Sequence, residues 1–349
     1  MIPAPFIAPL RLDIDGAALV DNWRTMARLS GSAACGAAVK ANGYGLGATE
    51  VARRLAGAGC RDLFVATWAE AAAIADVADA AISVLHGVRA EDMEAATALG
   101  RVRPVLNSPE QVRRWRDAAA GPCDVMVDTG MNRLGVSPEE IAEGLLDGLA
   151  IDTLMSHLAC ADEDSPMNRR QRDAFAALAG RTSAGRMSLA NSAGIALGAD
   201  YAFDLTRPGL ALYGGIARPE LATSIRQVVT PCAQVLQRRR VRAGESVGYN
   251  ARWTAPQDTE VAIVNLGYAD GYWRGFSNSG SARHGDTVLP VLGRVSMDLT
   301  AVDVGAARVI REGDWIAIDF DLPEASKRSG MSQYELLTGI GQRFSRRWN

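Results

Sequence analysis

The sequence lacks most of what marks a secreted, membrane-embedded or nucleic-acid-binding chain. It has five cysteines in 349 residues. They are Cys35, Cys60, Cys123, Cys160 and Cys232, an odd set without metal-ligand spacing, so free thiols in a reducing compartment are expected and no metal site is visible. No apolar run is long enough to span a bilayer. The opening MIPAPFIAPLRLDID has no basic patch followed by a long apolar run, so no leader is expected. An excess of one charge is missing too: 40 Asp+Glu against 37 Lys+Arg leaves a net charge of −3, and no basic field exists to hold nucleic acid or an anionic membrane. Aromatics make up only 6%, while 48% of residues are hydrophobic and 22% charged. That is the make-up of a folded cytoplasmic protein with one large or two ordinary domains.

Short β-type runs alternate with Ala-rich helical stretches through the first two thirds. Strands are expected at 33–40, 62–67, 81–86, 103–107, 124–128, 152–157, 186–190 and 203–207. The stretches between them, such as WAEAAAIADVADA, place small apolar residues on one face and acids on the other. Ser108-Pro109-Glu110 and Ser137-Pro138-Glu139 each put serine at a helix N-cap and proline at the first helical position. Eight strands, each followed by a helix, is the count that closes a (β/α)8 barrel; an open doubly wound sheet needs fewer, and its glycine fingerprint is absent. From about Val228 the pattern becomes mostly β, with Gly/Asp/Asn turns and one helix near the end, SQYELLTGIGQRF, opened by Ser332 and Glu335 as a capping box. The expected organisation is α/β: a (β/α)8 barrel over 1–230, then a β-rich domain over 231–349. An early strand at about 5–14 should pair with that second domain.

Working residues of such barrels sit where the strands end. Those positions carry Lys40, Thr67, His86, Asn107, Asp128, Arg133, His157, Asn191 with Ser192, and Arg207. Lys40 ends the apolar run Ala37-Ala38-Val39 and precedes Asn42-Gly43-Tyr44-Gly45-Leu46-Gly47, whose glycines allow a sharp turn or close approach to a ligand. It is either a surface lysine with a snorkelling stem or an amine of lowered proton affinity, the kind that forms Schiff bases. The glycine spacing does not match a dinucleotide loop. Arg207 could be a structural ion-pair partner of Asp204, and His157 an ordinary buried histidine.

The motifs AAVKANGYGLG, DTGMNRLG, SHLACADE, ANSAG, RPGLALYGG, VGYNARWTA, GYADGY and GRVSMD occur in this order over most of the chain. Together they resemble the alanine racemase family of pyridoxal-phosphate enzymes, whose fold is a barrel followed by a β domain. The resemblance implies an isomerase that interconverts L- and D-alanine by a two-base mechanism on an aldimine of pyridoxal 5'-phosphate. Lys40 would carry the aldimine and serve one face of Cα, and Tyr249 the other. A free tyrosine titrates near about 10, so an Arg207–His157–Tyr249 relay would supply the positive charge it needs. Arg207 would face the pyridine nitrogen and, unable to accept a proton, leave it neutral.

Further roles carry over by position. Tyr44, Asn191, Ser192, Gly209 and Leu210 would hold the phosphate and nearby groups, with Leu85 and Trp348 also at the cofactor. Arg133 would contact the phenolic oxygen and the substrate carboxylate, assisted by the Met297 N–H. Asp162, Tyr268 and Arg274 would line the entrance. A homodimer with shared active sites and a part in D-alanine biosynthesis are implied as well. Three positions depart from the family pattern. Met126 stands where a lysine often orients the arginine, Trp348 where a phosphate-binding tyrosine is usual, and Met155 in place of a tyrosine. The departures bear on substrate preference, and a broader-specificity or serine racemase is the nearest alternative. A related-fold decarboxylase would pair the ring nitrogen with an acid. A non-catalytic cofactor carrier would lack the β domain.

Overall fold

Small and β-branched residues in short runs, each closed by polar residues, set the element order. A computed structural model describes residues 8–77 and 79–349. Strand β1 (Leu10–Ile14) and helix Gly16–Leu29 precede β2 (Ala34–Cys35), β3 (Ala37–Ala38), β4 (Asp62–Val65), β5 (Ala81–Val84) and β6 (Val102–Leu106). Then come β7 (Cys123–Met126), β8 (Ile151–Met155), β9 (Arg186–Ser188) and β10 (Leu205–Thr206). β3 to β9 form one parallel sheet in chain order, and β10 pairs with β2. Both flanks of β10 are bonded. On one side the Gly36 N–H donates to Thr206 O and the Ala38 N–H to Pro208 O, both at 2.9 Å; on the other the Arg207 N–H donates to Ala190 O at 2.8 Å. The ring is thereby closed, with a strand at all eight expected positions. β2 and β3 are one strand interrupted at Gly36, where a Cβ would lie 2.7 Å from Asp62 O and from the Phe64 ring. β4 and β7 are buried throughout, as strands covered on both faces must be.

The helices are shorter than the sequence pattern suggests. The stretch after β4 is helical only over Trp68–Ile74, because Asp76 and Asp79 bring turn-forming side chains before β5. After β10 there are only two 3-10 turns, Leu210–Tyr213 and Pro219–Leu221. The serine starts do cap: Ser108 Oγ accepts from Gln111 N–H at 3.3 Å and Ser137 Oγ from Glu140 N–H at 3.1 Å.

At the opposite end from the strand C-termini, charged residues close the barrel. Arg186 donates to Asp62 at 2.8 Å and to Asp152 at 2.6 Å. Arg103 reaches Asp152 at 3.0 Å and Asp124 at 3.5 Å. Asp124, fully buried, also accepts from Ser83 Oγ at 2.6 Å and Thr153 N–H at 3.1 Å. Burial raises the Asp124 carboxyl, against the pull of Arg103. Arg186 is held above its ordinary value: burial works against it, and its bonds to Asp62 and Asp152 prevail.

The second region contains β11 (Val229–Val241), β12 (Ser246–Val247), β13 (Trp253–Thr254), β14 (Thr259–Val264), β15 (Ser281–His284), β16 (Thr287–Leu292), β17 (Thr300–Asp303), β18 (Trp315–Ile318) and β19 (Ser345–Trp348). Its sheet runs β14-β17-β16-β15-β18-β11-β1-β19, and β11 pairs again with β14. The long β11, irregular between Val235 and Gln237, therefore belongs to two sheet edges and closes the sheet on itself. β1 lies antiparallel to β11, with Leu10 opposite Ala233, and parallel to β19, with Ile14 opposite Trp348. The described residues up to Ala17 with Gln227–Asn349 form one unit, and Ala18–Arg226 the other. Positions 5–7 of the expected first strand lie outside the described residues. The terminal helix covers only Gln333–Thr338, ending at Gly339 so that the chain can enter β19, and a second helix, Leu322–Ser329, starts at the Asp321 cap. Among the described residues no helix is long and apolar enough to cross a membrane, and all five cysteines are free.

Candidate active site

The mouth of the barrel is built on a conformation that L-residues avoid. Beyond β3, Ala41, Asn42 and Gly43 have φ of 53°, 53° and 61°, and Tyr44 has φ of 52°. A left-handed conformation costs roughly 1–2 kcal/mol for each non-glycine residue, so the turn must be held from outside. Several bonds hold it: Gly43 N–H to Val39 O and Gly45 N–H to Ala41 O, both 2.9 Å, and Ala48 N–H to Asn42 Oδ1 at 3.0 Å. The Ala41 N–H donates to Glu70 Oε1 at 2.7 Å. Lys40 opens this turn. Burial lowers its amine below the ordinary range; the charges of Arg133 and Arg207 lower it further, and Glu70 opposes them. A snorkelling surface lysine would not be so affected.

Arg207, buried, donates to Ser188 Oγ, to Ser156 O at 2.6 Å and to Leu189 O at 3.4 Å. Burial brings its guanidinium down to about 10, against a weak pull upward from Asp124, so it stays charged at neutral pH. The alternative pairing with Asp204 does not form: that carboxylate accepts the Met187 N–H at 2.8 Å. His157 is driven to about 3 by burial and by the charges of Arg207, Arg133 and Lys40, which makes it a neutral imidazole. Arg133 is exposed and makes no ion pair among the described residues. Its loop is shaped by Asp128, which accepts from the N–H groups of Gly130 (2.7 Å), Met131 (2.8 Å) and Arg133 (3.1 Å). Burial alone would raise Asp128, and these bonds hold it low.

The barrel unit thus brings Lys40, Arg133, His157 and Arg207 within electrostatic reach of one another. Around them, Tyr44 is buried and stacks on Tyr213 with ring centroids 4.4 Å apart. Ser192 Oγ accepts from the N–H groups of Gly209 (2.9 Å) and Ala211 (3.2 Å). Asn191 caps the short helix Ser192–Ala196. Leu85 directly follows β5, its carbonyl accepting from Asn107 at 2.9 Å, and Asp162 is exposed. Met126 and Met155 are both buried.

The other unit carries Tyr249, Tyr268, Arg274, Met297 and Trp348. Tyr249 lies in a tight turn between β12 and β13 and is 66% exposed; Met297 is 54% exposed. The Arg274 guanidinium stands 4.7 Å from the centre of the Tyr268 ring. Trp348 is half-buried on β19.

Residues 14–217 match the alanine racemase N-terminal domain and residues 228–348 the alanine racemase C-terminal domain. The chain belongs to the alanine racemase family.

That family interconverts L- and D-alanine with pyridoxal phosphate, an isomerase reaction. The chain is 44% identical to the alanine racemase of Rhodospirillum rubrum, over 98% of this chain and 96% of that one. It is 41% identical to the biosynthetic alanine racemase of Agrobacterium fabrum, over 98% and 94%. A crystal structure of alanine racemase from Bartonella henselae with covalently bound pyridoxal phosphate superposes with a TM-score of 0.90 at 34% identity, covering 97% of this chain and 99% of that one.

The donor set suits pyridoxal phosphate. Lys40 offers an amine of lowered proton affinity for the aldehyde. A Cβ at residue 209 would come 2.3 Å from the Tyr44 hydroxyl, so only glycine leaves the cradle between them open. Ser192, already accepting twice, has its own proton to donate to an anion. Arg133, without an ion pair among the described residues, leaves a guanidinium free for an oxyanion at the mouth.

Two residues that shape this fold, Glu70 and Arg343, are not singled out in the sequence, and the strand-end Asp128 has a further turn role that its Asp-x-Gly order signals. Glu70 was hidden in an alanine-rich helix, with Thr67 three residues earlier as its only sign. Arg343 donates to Asp270 at 2.6 and 2.8 Å and to Asp298 at 2.7 Å, tying the segment after Tyr268 to the one after Met297. Nothing local could have shown that contact across 73 residues.

Proposed function

We propose that this chain racemises alanine with Lys40 and Tyr249 as the two acid/base groups, on pyridoxal 5'-phosphate held at Lys40. The observation that carries the reading is the charge balance of the mouth: Lys40, Arg133 and Arg207 gather there, and Arg207 donates to hydroxyl and carbonyl oxygens with no carboxylate partner among the described residues. When bound, pyridoxal phosphate supplies the electron sink that makes the substrate's Cα–H acidic. Lys40, with proton affinity lowered by burial, takes or returns a proton at Nζ on one face. Tyr249 does the same at its phenol oxygen on the other. A single tethered base would return the proton to the side it came from.

Arg207 cannot accept a proton, so at the pyridine nitrogen it would donate and leave that nitrogen neutral, which would weaken the sink and disfavour transamination. A decarboxylase with an acid at that place is thereby disfavoured. His157, neutral, offers one donor and one acceptor between Arg207 and Tyr249. Tyr44, Asn191, Ser192, Gly209, Leu210 and Trp348 hold the phosphate and nearby groups, with Leu85 beside the ring. Arg133 and the Met297 N–H take the substrate carboxylate, and Asp162, Tyr268 and Arg274 line the approach.

The exposure of Tyr249 and Met297 supports a homodimer in which each copy lends them to the other's barrel. Free thiols support a cytoplasmic location.

Incubation with L-alanine in deuterated water should give D-alanine with deuterium at Cα; released carbon dioxide without D-alanine would overturn the reading. Mixed dimers of Lys40→Ala and Tyr249→Phe subunits should regain activity, since one composite site keeps both groups. No regain would sink the shared site. A rate comparison across small amino acids tests whether Met126 and Met155 widen the pocket beyond alanine.

A further inference from the structure

Glu70 does more than a capping residue requires. In a capping box, the acid three residues into the helix accepts the N-cap N–H, which occupies one oxygen. Here Oε2 alone serves that end of the helix, accepting from Ala66 N–H at 2.7 Å and Thr67 N–H at 3.3 Å. Oε1 turns away from its own helix and takes the Ala41 N–H at 2.7 Å, 29 residues back. Ala41 directly follows Lys40 and is the first residue of the left-handed run. The same carboxylate acts on Lys40 against burial and two arginines, the one negative group found to do so among the described residues. One side chain thus holds both the backbone that aims the amine and the charge that balances it.

We infer that Glu70 is the positioning residue for Lys40: its carboxylate locks the left-handed turn after Lys40 onto the start of helix Trp68–Ile74, and so sets where the amine points. This rests on the assignment of Lys40 proposed above. Removing the carboxylate frees the Ala41 N–H, lets the turn relax towards ordinary conformations, and leaves Lys40 facing Arg133 and Arg207 without that offset.

The test uses the full-length chain with Glu70→Ala, Glu70→Gln and, as a control on the cap alone, Thr67→Ala. Hydrogen exchange over residues 41–47 reads the turn. The pH dependence of Lys40 acylation, after the cofactor is removed with hydroxylamine, reads the charge. Glu70→Ala should raise exchange about tenfold or more and move the acylation midpoint down by about 0.5 pH unit or more, because losing a nearby negative charge disfavours the ammonium form. Glu70→Gln keeps an acceptor for Ala41 but no charge, so it should shift the midpoint with a smaller change in exchange, and it serves as the decisive variant if the alanine form does not fold. Thr67→Ala should leave the midpoint at its wild-type value. A wild-type midpoint in Glu70→Gln, or an equal shift in Thr67→Ala, overturns the inference. Borohydride reduction of the loaded chain with peptide mapping reports separately on Lys40: a label on another lysine overturns that assignment whatever Glu70 does.

Discussion

The two ends of the barrel hold similar numbers of charged groups and use them in opposite ways. At the closed end, Arg103 and Arg186 meet Asp62, Asp124 and Asp152, and the fully buried Asp124 is further satisfied by Ser83 and Thr153. At the open end, Lys40, Arg133 and Arg207 lie together with a neutral His157, and Glu70 is the carboxylate that offsets them at Lys40. Charges that are paired and bonded hold strands in place. Charges left unbalanced keep a standing affinity for an anion and shift the proton equilibria of their neighbours. The contrast separates stability from chemistry within one set of strands.

The sharpest way to break it is at Lys40. Lys40→Met should cut racemisation by about 10,000-fold or more while the melting temperature stays the same or rises, since an amine among cations is removed. A large loss of stability would mean that the open end is also structural.

His157 comes next. Its folded value of about 3 lies below an ordinary histidine's 6.5, so between those pH values the unfolded chain binds the extra proton. This contribution to stability is complete above about 6.5 and is lost as pH falls towards 3, at up to about 1.4 kcal/mol per pH unit. Denaturant titrations across that range in wild type and His157→Asn should show a shallower slope in the variant; equal slopes would remove His157 from the account.

At the closed end, Arg186→Ala takes the arginine from Asp62 and leaves Asp152 with Arg103 alone, and should cost about 2–3 kcal/mol, between the values for exposed and buried pairs. KM for alanine should not change. Smallest is Arg343→Ala in the other unit, which unties Asp270 from Asp298 and should raise KM about 3- to 10-fold, about 1 kcal/mol, with little change in kcat. A fall in kcat at unchanged KM would place Arg343's influence elsewhere.

Much of this was readable along the chain because it is local. Strand ends follow from apolar runs, and Ser108, Ser137 and Ser332 announce the helices they cap, since a cap and its N–H partners lie within one turn. The motif order from AAVKANGYGLG to GRVSMD carried the family, the fold and the reaction. The closed-end network was not readable: Asp62, Arg103, Asp124, Asp152 and Arg186 look like ordinary strand residues until eight strands bring their first turns together. The left-handed turn was only hinted at, because Gly43 permits positive φ and Ala41 and Tyr44 do not invite it.

By itself the sequence determined which residues end strands, where helices start, and that an amine is followed by a glycine-rich turn; all of these rest on interactions between near neighbours. Only the tertiary structure decided that Glu70 reaches Ala41, that Asp204 binds a backbone N–H instead of Arg207, and that Arg343 joins Asp270 to Asp298. Each joins side chains to groups on other elements of the chain, and a folded backbone alone sets such distances.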